Sequence, residues 1–166
     1  MQKVTLEWFN KHIFDIFNGE CPKVYYCVHN QTEVNYGNNN DCDLEYCKQH
    51  SIPAYMMERN GGTIVCSKGN IGISSILPVE TGWVCSKFSE AFAIWLYNKI
   101  KGHRIEIKDN DILVDGFKTA SSTEIRVGEN LSRIYSTFQI SINQDVEAIE
   151  HICKKEMVKI PKALSD

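Results

Sequence analysis

The chain has 166 residues, 43% of them hydrophobic and 23% charged, with a net charge of −3. That is the size of one domain, residues 1–166, and enough chain to bury a core. A slightly negative chain is a poor partner for a phosphate backbone, so no nucleic acid is expected. No apolar run reaches the ~18 residues of a membrane span or has the form of a secretory leader, so no membrane association is expected and the cytoplasm is the expected compartment.

The seven cysteines, at 21, 27, 42, 47, 66, 85 and 153, are odd in number and scattered, which favours reduced thiols over a disulfide framework. Cys42-x4-Cys47-x2-His50 has a spacing reminiscent of zinc ligands. No second pair at ligand spacing completes the four donors of a structural site, so no metal is expected there.

In chain order, Thr5 is placed to N-cap a helix running to about Phe17, with Leu6, Phe9, Ile13, Phe14 and Phe17 on one face, and Asn18-Gly19 ends it. Lys23 to His29 reads as a buried strand and Glu33 to Tyr36 as a second. The polar loop 38–41 leads into a helix from about Cys42 to His50. Pro53 to Met57, Thr63 to Cys66 and Ile71 to Leu77 read as strands, separated by the turns at Asn60-Gly61-Gly62 and Lys68-Gly69-Asn70. Phe88, Phe92, Trp95, Leu96 and Ile100 mark the longest amphipathic helix, over 84–100. Strands are expected at 104–108, 111–114, 117–127 and 131–142, then helix over 144–153 and a short one near 156–160. Short strands interleaved with a few helices predict an α+β domain: a mixed, mostly antiparallel sheet over residues 53–142 with helices packed largely on one face, leaving the other for a ligand.

The most informative stretch is Asn110-Asp111-Ile112-Leu113-Val114-Asp115-Gly116-Phe117-Lys118-Thr119-Ala120-Ser121. Asp115-Gly116 between two apolar runs signals a type I′ hairpin turn, which sets Lys118 on the return strand. This stretch resembles the Asn-Asp-(apolar)-Asp-Gly-x-Lys-(apolar)-Ala/Ser signature of the biotin/lipoate protein ligase superfamily. Val34-Asn35-Tyr36-Gly37-Asn38-Asn39-Asn40, then a helix, then Ser51-Ile52-Pro53-Ala54 and Arg59-Asn60-Gly61-Gly62, follows the order of lipoate ligases as well. The chain is identified on these residues as a compact, divergent member. The segment Thr63 to Lys68 departs from the pattern, being shorter and lacking the family's histidine.

The resemblance implies that Lys118 is the catalytic residue, contacting the carbonyl and phosphate of an activated acyl group. Arg59, Gly61 and Gly62 would cover the acyl chain or hold anionic oxygens, while Asn110 and Asp111 would sit near nucleotide phosphates. Ser121 stands where lipoate ligases usually carry glycine and octanoyltransferases carry serine. Three readings stay open. The first is a lipoate-protein ligase, joining lipoate or octanoate to a lysine of a lipoyl-carrier domain through an acyl-adenylate, with ATP and Mg²⁺. The second is an octanoyl or lipoyl transferase drawing on acyl carrier protein without a cofactor, for which Cys153 is the candidate nucleophile. The third is a non-catalytic family member that binds a small ligand or a protein.

Overall fold

The computed structural model describes residues 1–37, 42–57 and 62–153. The chain forms β1 (Gln2–Lys3), α1 (Leu6–Lys11), α2 (Ile13–Asn18), β2 (Lys23–Val28), β3 (Glu33–Tyr36), α3 (Leu44–Gln49), β4 (Ala54–Met56) and β5 (Thr63–Cys66). There follow β6 (Ile71–Pro78), α4 (Cys85–Lys99), β7 (Ile105–Lys108), β8 (Asp111–Val114), β9 (Phe117–Val127), β10 (Arg133–Ile140) and α5 (Val146–Ile152). The short helix expected near 156–160 lies outside the described residues.

The strands form a seven-stranded sheet in the order β1-β2-β6-β10-β9-β8-β7 and a three-stranded sheet in the order β4-β3-β5. Pairing in the large sheet is antiparallel except between β1 and β2. The domain is therefore α+β with a large, mostly antiparallel sheet. The expected single sheet over 53–142 is corrected, because β4 and β5 pair with β3 and not with the strands that follow. The cause lies at one corner. The backbone of His29 exchanges hydrogen bonds with Gly69 and Asn70 (Gly69 N–H to His29 O, 2.8 Å; His29 N–H to Asn70 O, 3.0 Å). Beyond that point both chain segments change sheets together: β2 pairs with β6 on one side, and β3 with β5 on the other.

Side chains alternate across each strand, and the two faces of the large sheet carry different cores. On one, Tyr25, Ile76, Val127 and Tyr135 pack against Phe9, Ile16 and Phe17 of α1 and α2. On the other, Ile112, Val114, Ala120 and Phe138 receive Leu96, with Phe92, Ala93 and Ile100, so that α4 is the helix packed on this face among the described residues. The small sheet has its own core of Val34, Cys42, Cys47, Ala148 and Ile152, closed by α3 and α5.

Two helices depart from the expected pattern for local reasons. The helix predicted from Thr5 to Phe17 breaks at His12, whose ring Nδ1–H bonds back to Trp8 O at 2.8 Å while the ring stacks on Trp8 at 4.5 Å. That carbonyl is shared with the His12 amide, which also bonds to Phe9 O three residues back, and α2 restarts at Ile13. In α4, Trp95 is half exposed and stacks on Phe92, so the buried stripe is narrower than predicted. The helix lacks a side-chain cap of its own. Instead, Glu124 of β9 accepts from the Val84 and Cys85 amides at 2.7 and 2.8 Å, and from Ser136 Oγ at 2.8 Å.

Candidate functional site

The β8–β9 hairpin carries the residue on which the sequence argument turns. Asp115 and Gly116 both take positive φ, 52° and 82°, as a type I′ turn demands. Just beyond the turn the register shifts: Ile112 faces Ala120, whereas Leu113 faces Lys118, leaving Thr119 as an extra residue on β9. Lys118 and Ser121 are three apart and in a regular strand would point to opposite faces. The bulge at Thr119 restores the phase, so Lys118 shares a face with Ser121 and with Asp111, its partner across the ladder. Lys118 Nζ lies 2.9 Å from Asp111 Oδ1. Thr119 itself is fully buried, its carbonyl accepting from the Ser141 amide at 2.9 Å and its hydroxyl donating to Phe117 O.

Lys118 and Ser121 line a cleft of about 150 Å³ whose opposite wall is β5, Thr63 to Cys66. Gln139 and Ser141 close it from β10, and Asn70 and Ile149 from the sides. Two details shape the floor. Asn70 is buried, and its Oδ1 accepts from the Ile142 and Asn143 amides at 3.1 Å each, anchoring the chain as it leaves β10. Gly72 lets the Gln139 side chain lie across it: a Cβ there would stand 2.8 Å from Gln139 Nε2.

The remaining predicted site residues fall as follows. Asp111 holds the Lys118 ammonium from beside the cleft. Asn110 is exposed in the β7–β8 turn, its carbonyl accepting from the Ser122 amide and hydroxyl at 2.8 and 3.2 Å. Gly62 leads into β5, and its carbonyl accepts from the Gly37 amide at 3.1 Å. A Cβ at Gly62 would meet no atom of the described residues within 4 Å. Arg59 and Gly61 lie outside the described residues.

A sequence profile of the lipoyl protein ligase A/B catalytic domain matches residues 7–165. The chain belongs to this family. It is also 25% identical over 123 residues to a lipoate–protein ligase of Streptococcus pyogenes serotype M5, a match covering 72% of this chain and 35% of that protein. The chain thus spans about a third of the length of this curated relative. Among solved structures, a lipoate-protein ligase A bound with ATP superposes with a TM-score of 0.70 at 15% identity, covering 99% of this chain and 76% of that one. The bipartite lipoate protein ligase of Thermoplasma acidophilum, studied with its E2 lipoyl domain, gives 0.68 at 15% identity, with 95% and 66% covered. The P. falciparum LipL1 in complex with lipoate gives 0.68 at 14% identity, with 99% and 54% covered. At such identities these structures establish the fold.

Within this family frame, several cleft residues had no sequence signal strong enough to single them out. Gln139 and Ser141 sit on a strand that reads only as a strand, and their position follows from its place beside β9. Cys153, the candidate nucleophile of the transferase reading, does line the cleft, although as the residue that ends α5 and not as part of a helix. It faces Cys42 across an isolated antiparallel bridge. Burial, followed by the neighbouring Cys47, pushes the Cys42 thiol up to about 12, so that thiol stays protonated at neutral pH.

Proposed function

We propose that this chain catalyses lipoate-protein ligase chemistry, activating lipoate or octanoate as an acyl-adenylate and passing the acyl group to a lysine of a lipoyl-carrier domain. Family membership supports the reaction class, and the single observation that carries the assignment of roles is the position of Lys118. The bulge at Thr119 turns its ammonium to the side of the sheet that forms one wall of the cleft, opposite β5. ATP, as its Mg²⁺ complex, is a substrate. The carboxylate oxygen attacks the α-phosphorus and pyrophosphate leaves; the carrier lysine amine then attacks the acyl carbonyl and AMP leaves. Negative charge grows on the phosphate oxygens in the first step and on the carbonyl oxygen in the second. A fixed ammonium stabilises both, and more so once the bound acyl chain excludes water.

Asp111 keeps Lys118 aimed while the cleft is empty. The half-exposed pair, at 43% and 35%, is weak enough for the ammonium to exchange that carboxylate for a phosphate. Gly62 fits the same picture: the space where its Cβ would stand is open to ligand, and a backbone without a side chain allows close approach. Arg59 and Gly61 are proposed to contact the acyl chain or hold anionic oxygens, with Asn110 toward the nucleotide and Ser121 against the acyl carbonyl.

Cys153 on the cleft wall favours a second reading, transfer from acyl carrier protein through a thioester of this cysteine without ATP. The test is pyrophosphate exchange into ATP in the presence of lipoate or octanoate. Acyl-dependent exchange is expected. Its absence, together with acyl transfer from acyl carrier protein that Cys153→Ser abolishes, would replace the ligase reading with the transferase one. Neither activity would leave a non-catalytic binder.

A further inference from the structure

We propose that Cys27, His29, Glu33 and Cys66 form a closed binding site for one divalent cation of the zinc type, clipping the seven-stranded sheet to the three-stranded one. The donors converge from two independent pairings. Cys27 and His29 are two apart at the end of β2, hence on one face of it. Glu33 and Cys66 stand directly opposite each other in the β3–β5 ladder. The corner at which both chain segments change sheets folds these pairs together. His29 Nδ1 lies 2.6 Å from Glu33 Oε1 and 4.0 Å from Cys27 Sγ, the donor atoms of these three residues are all within 4.8 Å of one another, and Cys66, outside that triple, stands opposite Glu33 across the ladder.

The donor set suits that cation. Tetrahedral zinc with bonds of about 2.0–2.3 Å needs donors roughly 3.3–3.7 Å apart. Opening the His29–Glu33 contact from 2.6 Å and closing the Cys27–His29 contact from 4.0 Å moves these three donors toward that geometry, and a rotamer change of Cys66 would bring in the fourth. Two sulfurs, one imidazole and one carboxylate make four ligands with none to spare, the closed arrangement of a structural rather than a catalytic site. All four residues are at least nine-tenths buried, at 8%, 2%, 7% and 1% exposure. A buried ion pair of His29 and Glu33 would need no thiol beside it, yet the Cys27 sulfur also lies on the Nδ1 side of the ring. On metal binding the two thiols and the imidazole give up their protons to solvent, and the cation takes their place among the same donors. The site is distinct from Lys118, but Cys66 belongs to the β5 wall, so the metal would hold that wall in place.

The cluster was not among the sequence candidates, because Cys27-x-His29-x3-Glu33 lacks a familiar ligand spacing and Cys66 is remote in the chain. The test uses the full chain and needs no acyl substrate, so its outcome is independent of the ligase reading. One equivalent of zinc is expected by elemental analysis after exchange into metal-free buffer. Cobalt(II) should give intense thiolate-to-cobalt charge-transfer absorption. Cys27→Ser and Cys66→Ser should each weaken binding by at least ~100-fold, since even changes outside the ligand set cost ~10–100-fold. Cys47→Ser, in the alternative Cys42/Cys47/His50 group, should leave it unchanged. Should the ligand variants fail to fold, the wild-type chain decides through its cobalt spectrum and a melting temperature raised by zinc and lowered by chelator. No metal bound at micromolar zinc, a cobalt spectrum without thiolate bands, or undiminished binding in both ligand variants would overturn the site and leave His29–Glu33 as a buried ion pair.

Discussion

Replacing Lys118 by alanine separates a catalytic lysine from a structural one, because the structure sets the two expected magnitudes far apart. The ammonium is 43% exposed and its ion-pair partner Asp111, at 2.9 Å, is 35% exposed. A pair so open to water contributes about 0.2–1 kcal/mol, and its loss strands no buried charge on Asp111. For a chain of this length that is at most a few degrees, roughly 2–4 °C per kcal/mol, in melting temperature. The rate should fall much further. Removing one preorganised group that meets developing negative charge costs about 10²–10³ in rate, or ~2.7–4 kcal/mol in the transition state. Lys118→Arg keeps the charge but moves it and spreads it over a planar group, so an intermediate rate is expected. The assay is single-turnover acylation of a lipoyl-carrier domain, with thermal melts of each variant. Rates within threefold of wild type would refute the catalytic role. A loss of melting temperature large enough to account for the lost activity would make the lysine a structural residue.

Glu124→Ala should cost about 2–4 kcal/mol in urea unfolding, because one carboxylate oxygen takes three donors, two of them the first amides of α4; a loss below about 1 kcal/mol would show that water caps the helix equally well. Stability should also fall at alkaline pH. Burial raises Cys42 from 9.0 to about 12, assisted by Cys47, and burial raises Cys85 from 9.0 to about 11, so the unfolded chain loses these protons first. The stabilisation is complete below pH 9 and is lost as the pH rises through 11 to 12, at up to about 1.4 kcal/mol per pH unit for each thiol. Urea midpoints of Cys42→Ala and Cys85→Ala should therefore vary less between pH 8 and 10.5 than that of the wild type, and parallel pH profiles would contradict the assignment.

Local rules were enough to locate much of this protein from its sequence. Asp115-Gly116 specifies its turn because glycine and aspartate tolerate the positive φ that such a turn requires, and with it the hairpin that bears Lys118. The spacing of Phe92, Leu96 and Ile100 specifies α4, since a helix of 3.6 residues per turn brings those side chains to one face. Motif order along the chain sufficed for the superfamily, and the family match supports it. Tertiary structure alone decided the rest. The face to which Lys118 points depends on the extra residue Thr119, and a bulge is a property of two paired strands that neither strand announces. The division into two sheets depends on which strands find each other across the His29–Asn70 corner. Cys66 stands 39 positions from Cys27 in the chain (66 minus 27) yet opposite Glu33, the residue that His29 contacts. Contacts of that kind are made by packing of distant segments, and no local periodicity encodes them.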